Sequence, residues 1–221
     1  MCFSFLPLTA FAVSYPQGVT QADAAAALPK AEKLVESLIK QNGGTAEIKK
    51  NIYASFFADD TINAIFKGVY SSLSENESMR KEIRKALKKG LPCMAECGGF
   101  MYLHQAMEDM EGVSWPMAGV IDGKAFRTEH LVRFGYVLLE ETQEKEYGVI
   151  PAHEFHYFDS TANGTDFLAR KASGKRSWEC MHKEKGLLAG FPHLYYFGNP
   201  KVPRRFLMQC EAYKKEREET E

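Results

Sequence analysis

The stretch LPCMAECGGFMYL, Leu91 to Leu103, decides how the chain is read. A single cysteine, Cys97, stands between Glu96 and two glycines, Gly98 and Gly99. A short apolar run precedes it (Leu91 to Ala95), and a run of helical character follows (Phe100 to Met107). Strand, tight turn and helix, with a reactive side chain in the turn, is how a nucleophile elbow is built. The competing reading is a small core residue beside a flexible turn, because most free cysteines are of that kind.

The elements on either side follow from spacing. SENESMRKEIRKALKKG, Ser74 to Gly90, predicts a helix. Ser74 and Glu77 form a capping box, with acidic residues at its start and Lys88 and Lys89 at its end. Met79, Ile83, Ala86 and Leu87 share one face, expected to be buried. Gly90 is the stop, and Pro92 prevents continuation. A strand is then expected over Leu91 to Glu96, and a helix from about Gly99 to Met107. Further strands are expected at Ala118 to Ile121, Val132 to Leu139, Val149 to Tyr157 and Trp178 to Met181. A last helix is expected over Val202 to Lys215. Towards the N-terminus, apolar residues from Ala26 to Leu38 recur at helical spacing within residues 19 to 42, interrupted by Pro29 and ended by Gly43 and Gly44. Residues 46 to 72 fit either period. Alternating helices and strands through the middle argue an α/β domain.

The chain has 221 residues, 45% of them hydrophobic, with a net charge of −1. That is enough for a real core and gives no bulk attraction to nucleic acid or anionic membrane. The five cysteines (Cys2, Cys93, Cys97, Cys180, Cys210) are scattered and odd in number, which argues against a disulfide scaffold or a zinc site. A reducing cytoplasm fits them. The apolar start MCFSFLPLTAFAV has no positive residue before Lys30, so it lacks the basic region of a signal peptide, and it is too short to span a bilayer. The mixed-sign end KKEREETE reads as a solvated tail.

A thiol attacks as thiolate, at an ordinary pKa of about 8.5. The helix after the elbow directs its positive dipole end at the sulfur, and a histidine could take the proton. Gly98 and Gly99 let the backbone turn and leave the N–H of Gly98 to face an oxyanion. Glu96 opposes the thiolate unless it points elsewhere or is paired. Six histidines are candidates for the base. His104 is expected on the helix beyond the elbow, facing away, and His130 and His182 at the surface. His153 and His156, in HEFHYF, should point to opposite faces of a strand. His-Glu-x-His does not have the spacing of a metal motif, so no metal is expected. His193, in FPHLYYFGNP, lies in a loop before the last helix. Spacing alone does not choose between His153 and His193.

The run P-x-x-A-E-C-G-G-F-M-Y-L, Pro92 to Leu103, resembles the nucleophile motif of the glutaminase domain of cobyrinate a,c-diamide synthases, a class I glutamine amidotransferase domain. Three other blocks agree in order: Leu73 to Pro92, FGY with AHEFHYFD (Phe134 to Tyr136, Ala152 to Asp159), and PHLYYFGNP (Pro192 to Pro200). The resemblance implies a flavodoxin-like, class I glutamine amidotransferase-like three-layer α/β sandwich, incomplete at the N-terminus. It divides the chain into an unassigned segment 1–69, a glutaminase-like domain 70–212 and a charged tail 213–221. It implies Cys97 as nucleophile, His193 as base, and Gly98 and Gly99 at the oxyanion and substrate. His153, Glu154, His156 and Tyr195 would be channel-lining or structural. Ammonia from glutamine would pass to an ATP- and Mg²⁺-dependent synthase domain or subunit that amidates a corrin or related tetrapyrrole. The chain itself would bind no cofactor, and no G-x-x-x-x-G-K-[ST] occurs in it.

Two features depart from the family pattern. The second histidine of the loop is Tyr195. The G-G-Y-P loop expected before LSEN is replaced by AIFKGVYSS, Ala64 to Ser72, with only Gly68. That loop supplies the other oxyanion contact, and losing one such donor costs about two to three orders of magnitude in rate. An inactive relative acting as a binding or assembly module is therefore the alternative. A general thiol hydrolase on the same fold is a third reading.

Overall fold

The computed structural model describes residues 60–219 apart from 172, 173 and 175, with side chains from Lys67 onward. The helix expected within residues 19 to 42 and the apolar start lie outside the described residues. The chain divides into two compact units, 1–75 and 76–221. In the first, the described element is helix α1, Asp60–Glu75. It makes residues 60–72 of the ambiguous stretch helical, while residues 46–59 lie outside the described residues.

The second unit opens with α2, Glu77–Lys88. The expected capping box is corrected here. Ser74 lies inside the last turn of α1, and the N-cap is Asn76, whose Oδ1 accepts the N–H of Met79 at 3.1 Å. Asn is at least as good a cap as Ser, and it stands where the chain breaks between the helices. Gly90, at φ +87°, ends the segment as expected. The expected buried face is only half right. Ile83 and Leu87 pack on the core, but Met79 is 52% exposed and no residue of α2 is fully buried. Arg80 and Arg84 reach the carbonyls of Met117 and Ala118, at 3.3 and 2.6 Å.

Strand β1 (Cys93–Glu96) leads through Cys97 into α3 (Gly98–Tyr102). The helix expected to reach Met107 stops there. His104–Glu108 forms β2, because buried His104 is drawn into a strand by bonds to Phe100 and Ser160. The remaining strands are β3 (Ser114–Pro116), β4 (Ile121–Arg127), β5 (Arg133–Glu141), β6 (Ile150–His156) and β7 (Phe158–Ser160). They continue with β8 (Phe167–Lys171), β9 (Ser177–Cys180), β10 (His182–Glu184), β11 (Leu187–Gly190) and β12 (His193–Leu194). The chain closes with α4 (Lys201–Glu218), which runs into the stretch read as a tail.

The strands form three sheets, ordered β1-β11-β10, β12-β6-β5-β8-β9 and β3-β2-β4-β7. Among the described residues only β1 with β11 and β2 with β4 are parallel. The chain is α/β with mixed sheets. The expected alternation of helix and strand through the middle is replaced by strands, with consecutive antiparallel pairs at β2–β3, β5–β6, β8–β9 and β10–β11.

The β1–β11 pair has a core on each face. Met94 and Leu188, opposite each other in register, pack with Val137, Leu139, Ile150 and Phe167 of the five-stranded sheet and Val202 of α4. Ala95 and Ala189, the next pair, pack with Phe100, Leu103, Ile121 and Phe191. Side chains alternate along a strand, so apolar residues at consecutive positions are what a strand buried on both faces needs.

Candidate active site

The elbow is built where β1 ends. Cys97 has φ +49° and ψ −107°, a conformation that L-residues rarely adopt. Such a backbone costs about 1–3 kcal/mol and persists only where its surroundings over-determine it. Here the Cys97 N–H extends the ladder to the carbonyl of Gly190 at 2.9 Å, and its carbonyl accepts the N–H of Met101 at 2.9 Å. The strain therefore sits on the cysteine itself. This corrects the expectation that Gly98 and Gly99 make the turn. Neither has a positive φ, and a Cβ on Gly98 would meet nothing within 4 Å. Their smallness keeps the space after the cysteine open.

His193 arrives from β12, which pairs antiparallel with β6 and sets His193 opposite His153. Its half-exposed side chain lies beside the Cys97 thiol, and its Nδ1 lies 3.6 Å from Glu96 Oε2. Both partners hold the imidazole protonated, Cys97 first and Glu96 second, and raise its pKa to about 10. The tertiary structure thus selects His193 over His153 as the histidine at the sulfur. Glu96 is paired, so it does not simply oppose the nucleophile. Its other oxygen, Oε1, accepts a short hydrogen bond from the Tyr196 hydroxyl. Burial, then the Glu96 carboxylate, raises the pKa of that phenol.

Sequence reasoning missed Tyr196 and attended to its neighbour. The Tyr195 ring is 57% exposed and lies against Phe197, with centroids 6.2 Å apart. The only signal for Tyr196 was a second tyrosine three residues after the histidine. The loop is anchored beyond it by Asn199, whose amide donates to the carbonyls of Tyr147 and Val149 at 2.8 and 2.9 Å.

The HEFHY block divides as the strand period requires. His153 shares a face with His193, its ring meeting Tyr136 edge-on at 5.2 Å. Glu154 and His156 turn to the buried face. Glu154 accepts from Trp178 Nε1 at 3.1 Å and pairs with His156 Nε2 at 2.8 Å. His156 Nδ1 faces the carbonyl of Phe158 at 2.7 Å, so that nitrogen carries a hydrogen. The His156 ring stacks on Phe191, centroids 4.1 Å apart. This buried pair is part of the packing.

Two histidines depart from expectation. His104 opens β2 instead of riding a helix, fully buried between the Phe100 carbonyl and Ser160 Oγ, and burial lowers its pKa. His182 is half-buried and bonds the carbonyl of Ala162 at 2.9 Å. His130 is exposed. Among the described residues, no three His, Cys, Asp or Glu side chains are grouped to hold a metal.

Residues 70–200, more than half of the chain, match the CobB/CobQ-like glutamine amidotransferase domain. The chain is similar to the cobyrinate a,c-diamide synthase of Caldanaerobacter subterraneus subsp. tengcongensis, 38% identical over 147 residues, covering 64% of this chain and 32% of that protein. It is also similar to those of Fusobacterium nucleatum subsp. nucleatum, 41% over 134 residues (58% and 30%), and Picrophilus torridus, 31% over 140 residues (62% and 30%). The chain thus spans about a third of the length of the curated relatives it matches.

Proposed function

This chain belongs to the CobB/CobQ-like glutamine amidotransferase family, and from that premise we propose that it hydrolyses glutamine and delivers the ammonia to an amidating synthase partner. The observation that carries the reading is Cys97, strained at the end of β1, with His193 held beside it by Glu96 of the same strand. Cys97 Sγ attacks the side-chain amide carbon of glutamine, and a C–S bond forms. The resulting oxyanion is met by the N–H of Gly98 at the start of α3. His193 gives its proton to the amide nitrogen, the C–N bond breaks, and ammonia leaves. Water, deprotonated by the now neutral His193, attacks the γ-glutamyl thioester. The C–S bond breaks and glutamate leaves.

The synthase relatives are named for amidation of cobyrinate, and we assign this chain's ammonia to a corrin or related tetrapyrrole carboxylate. ATP and Mg²⁺ belong to that partner's site, and no step on this chain's residues uses them. The two cores flanking β1 and β11 support a class I-like three-layer arrangement around that pair. None of the described helices is long and apolar enough to cross a membrane, and a cytoplasmic setting suits the reduced Cys97.

One observation favours the second reading, a binding module without turnover. The stretch Ala64 to Ser72 is helical within α1, where the family has its glycine-rich loop. A single experiment separates the two. The chain is treated with a glutamine-mimicking diazoketone, with and without excess glutamine, and the adduct is mapped by mass. A glutamine-protected adduct on Cys97, lost in Cys97→Ala, supports the glutaminase. A folded chain that forms no adduct rejects it in favour of the binding module.

A further inference from the structure

We propose that Glu96 and Tyr196 are a positioning pair for His193, with the orienting carboxylate supplied by the nucleophile's own strand. The inference rests on the glutaminase reading for its purpose, although its geometry stands without it. A thiol–imidazole couple works best when a third group holds the ring. Tyr195 does not reach the base, and Glu96 does.

Three observations support this. First, Glu96 is directed by strand alternation. It shares a side of β1 with Met94, which packs on the core of the sheet that carries His193. Second, Glu96 is shared between two residues of one loop. One oxygen meets His193 and the other accepts from Tyr196. Among the described residues no lysine or arginine pairs with it. A carboxylate held by a hydroxyl on one oxygen keeps the other aimed at the ring. Third, the loop is fixed at both ends. β12 pairs with β6 before it, and Asn199 anchors it after. Tyr196 therefore ties a rigid loop to the end of β1. The groups facing His193 are Cys97 and Glu96 from the elbow, with His153 in register on β6.

The test is an NMR titration of His193 in the Cys97→Ala background, which removes the sulfur's influence. With Glu96 present, the imidazole should titrate above its ordinary value. Glu96→Gln should lower that midpoint by about one pH unit or more, and Glu96→Asp should restore part of it. An unchanged midpoint in a folded Glu96→Gln chain overturns the proposal. Should Glu96→Gln not fold, Tyr196→Phe decides, because it removes only a hydroxyl. With Cys97 intact, Tyr196→Phe should slow Cys97 labelling by iodoacetamide by about tenfold, through misplacement of the base. An unchanged rate overturns the proposal. These readouts need no glutamine turnover. A Glu96-dependent titration without a diazoketone adduct would keep the positioning pair and reject the glutaminase. A diazoketone adduct with an unchanged titration would do the reverse.

Discussion

Cys97 carries the strain of the elbow and, in the proposed reaction, its chemistry, and the two can be separated by substitution. Glycine adopts a positive φ without a Cβ penalty, whereas alanine does not. Cys97→Gly should therefore be more stable than Cys97→Ala, by roughly 1 kcal/mol. At an ordinary strand-to-helix position the order would be reversed. Paired urea denaturation curves check this, and equal midpoints would mean that the strain at this residue is small. His193 offers a second test. Its folded pKa, about 10, lies above the unfolded value of about 6.5. Its contribution to stability is thus full below about pH 6.5, declines as pH rises, and is gone above about pH 10. Wild type should exceed His193→Gln in denaturant midpoint at pH 6, with the gap closing towards pH 10. A gap that widens with pH would contradict the protonated imidazole.

At the scale of elements, the start of α2 turns on one side chain. Asn76→Ala removes the bond to the Met79 N–H and should cost about 1 kcal/mol. Ser74→Ala, inside α1, should cost only a few tenths, and thermal melts of the two variants would distinguish them. Helix periodicity found α2 and its end at Gly90 correctly, because its charges and stop residue are local signals. It misplaced the cap because Ser74, Asn76 and Glu77 all suit a helix start, and only the geometry of the break chooses among them. The same limit explains α3. Phe100 to Met107 looks helical in isolation, yet the partners of His104, Phe100 and Ser160, claim its part from His104 onward for β2. The short strands β7, β10 and β12 carry too few residues for any period to show.

At the scale of the molecule, the sheet face that carries His193 is conspicuously aromatic. The register runs His193, His153, Tyr136 across three strands. Tyr136 is 71% exposed, and Phe197, in the histidine loop, is 91% exposed. Under the proposed function the released ammonia calls for a partner that shields it from water, and such side chains suit a covered surface. Tyr136→Ser with Phe197→Ser should weaken association with a synthase partner about tenfold or more while leaving Cys97 labelling by iodoacetamide intact. Sedimentation with the synthase portion of a relative measures it, and unchanged association would place the partner elsewhere.

From the sequence by itself came the elbow, the α/β class, the helices α2 and α4 and the family resemblance. Those depend on residue type, spacing and local stop signals, which the chain displays linearly. Spacing also narrowed the candidate base to two histidines, the resemblance pointed to His193, and Glu96 stood out as a carboxylate that had to point elsewhere or be paired. Only the tertiary structure decided what Glu96 pairs with, and that Tyr196 and not Tyr195 completes the cluster. Those contacts join β1 to a loop about a hundred residues further along the chain. Their geometry is set by the β1–β11 and β12–β6 registers, and a register is a property of paired strands that neither strand encodes alone.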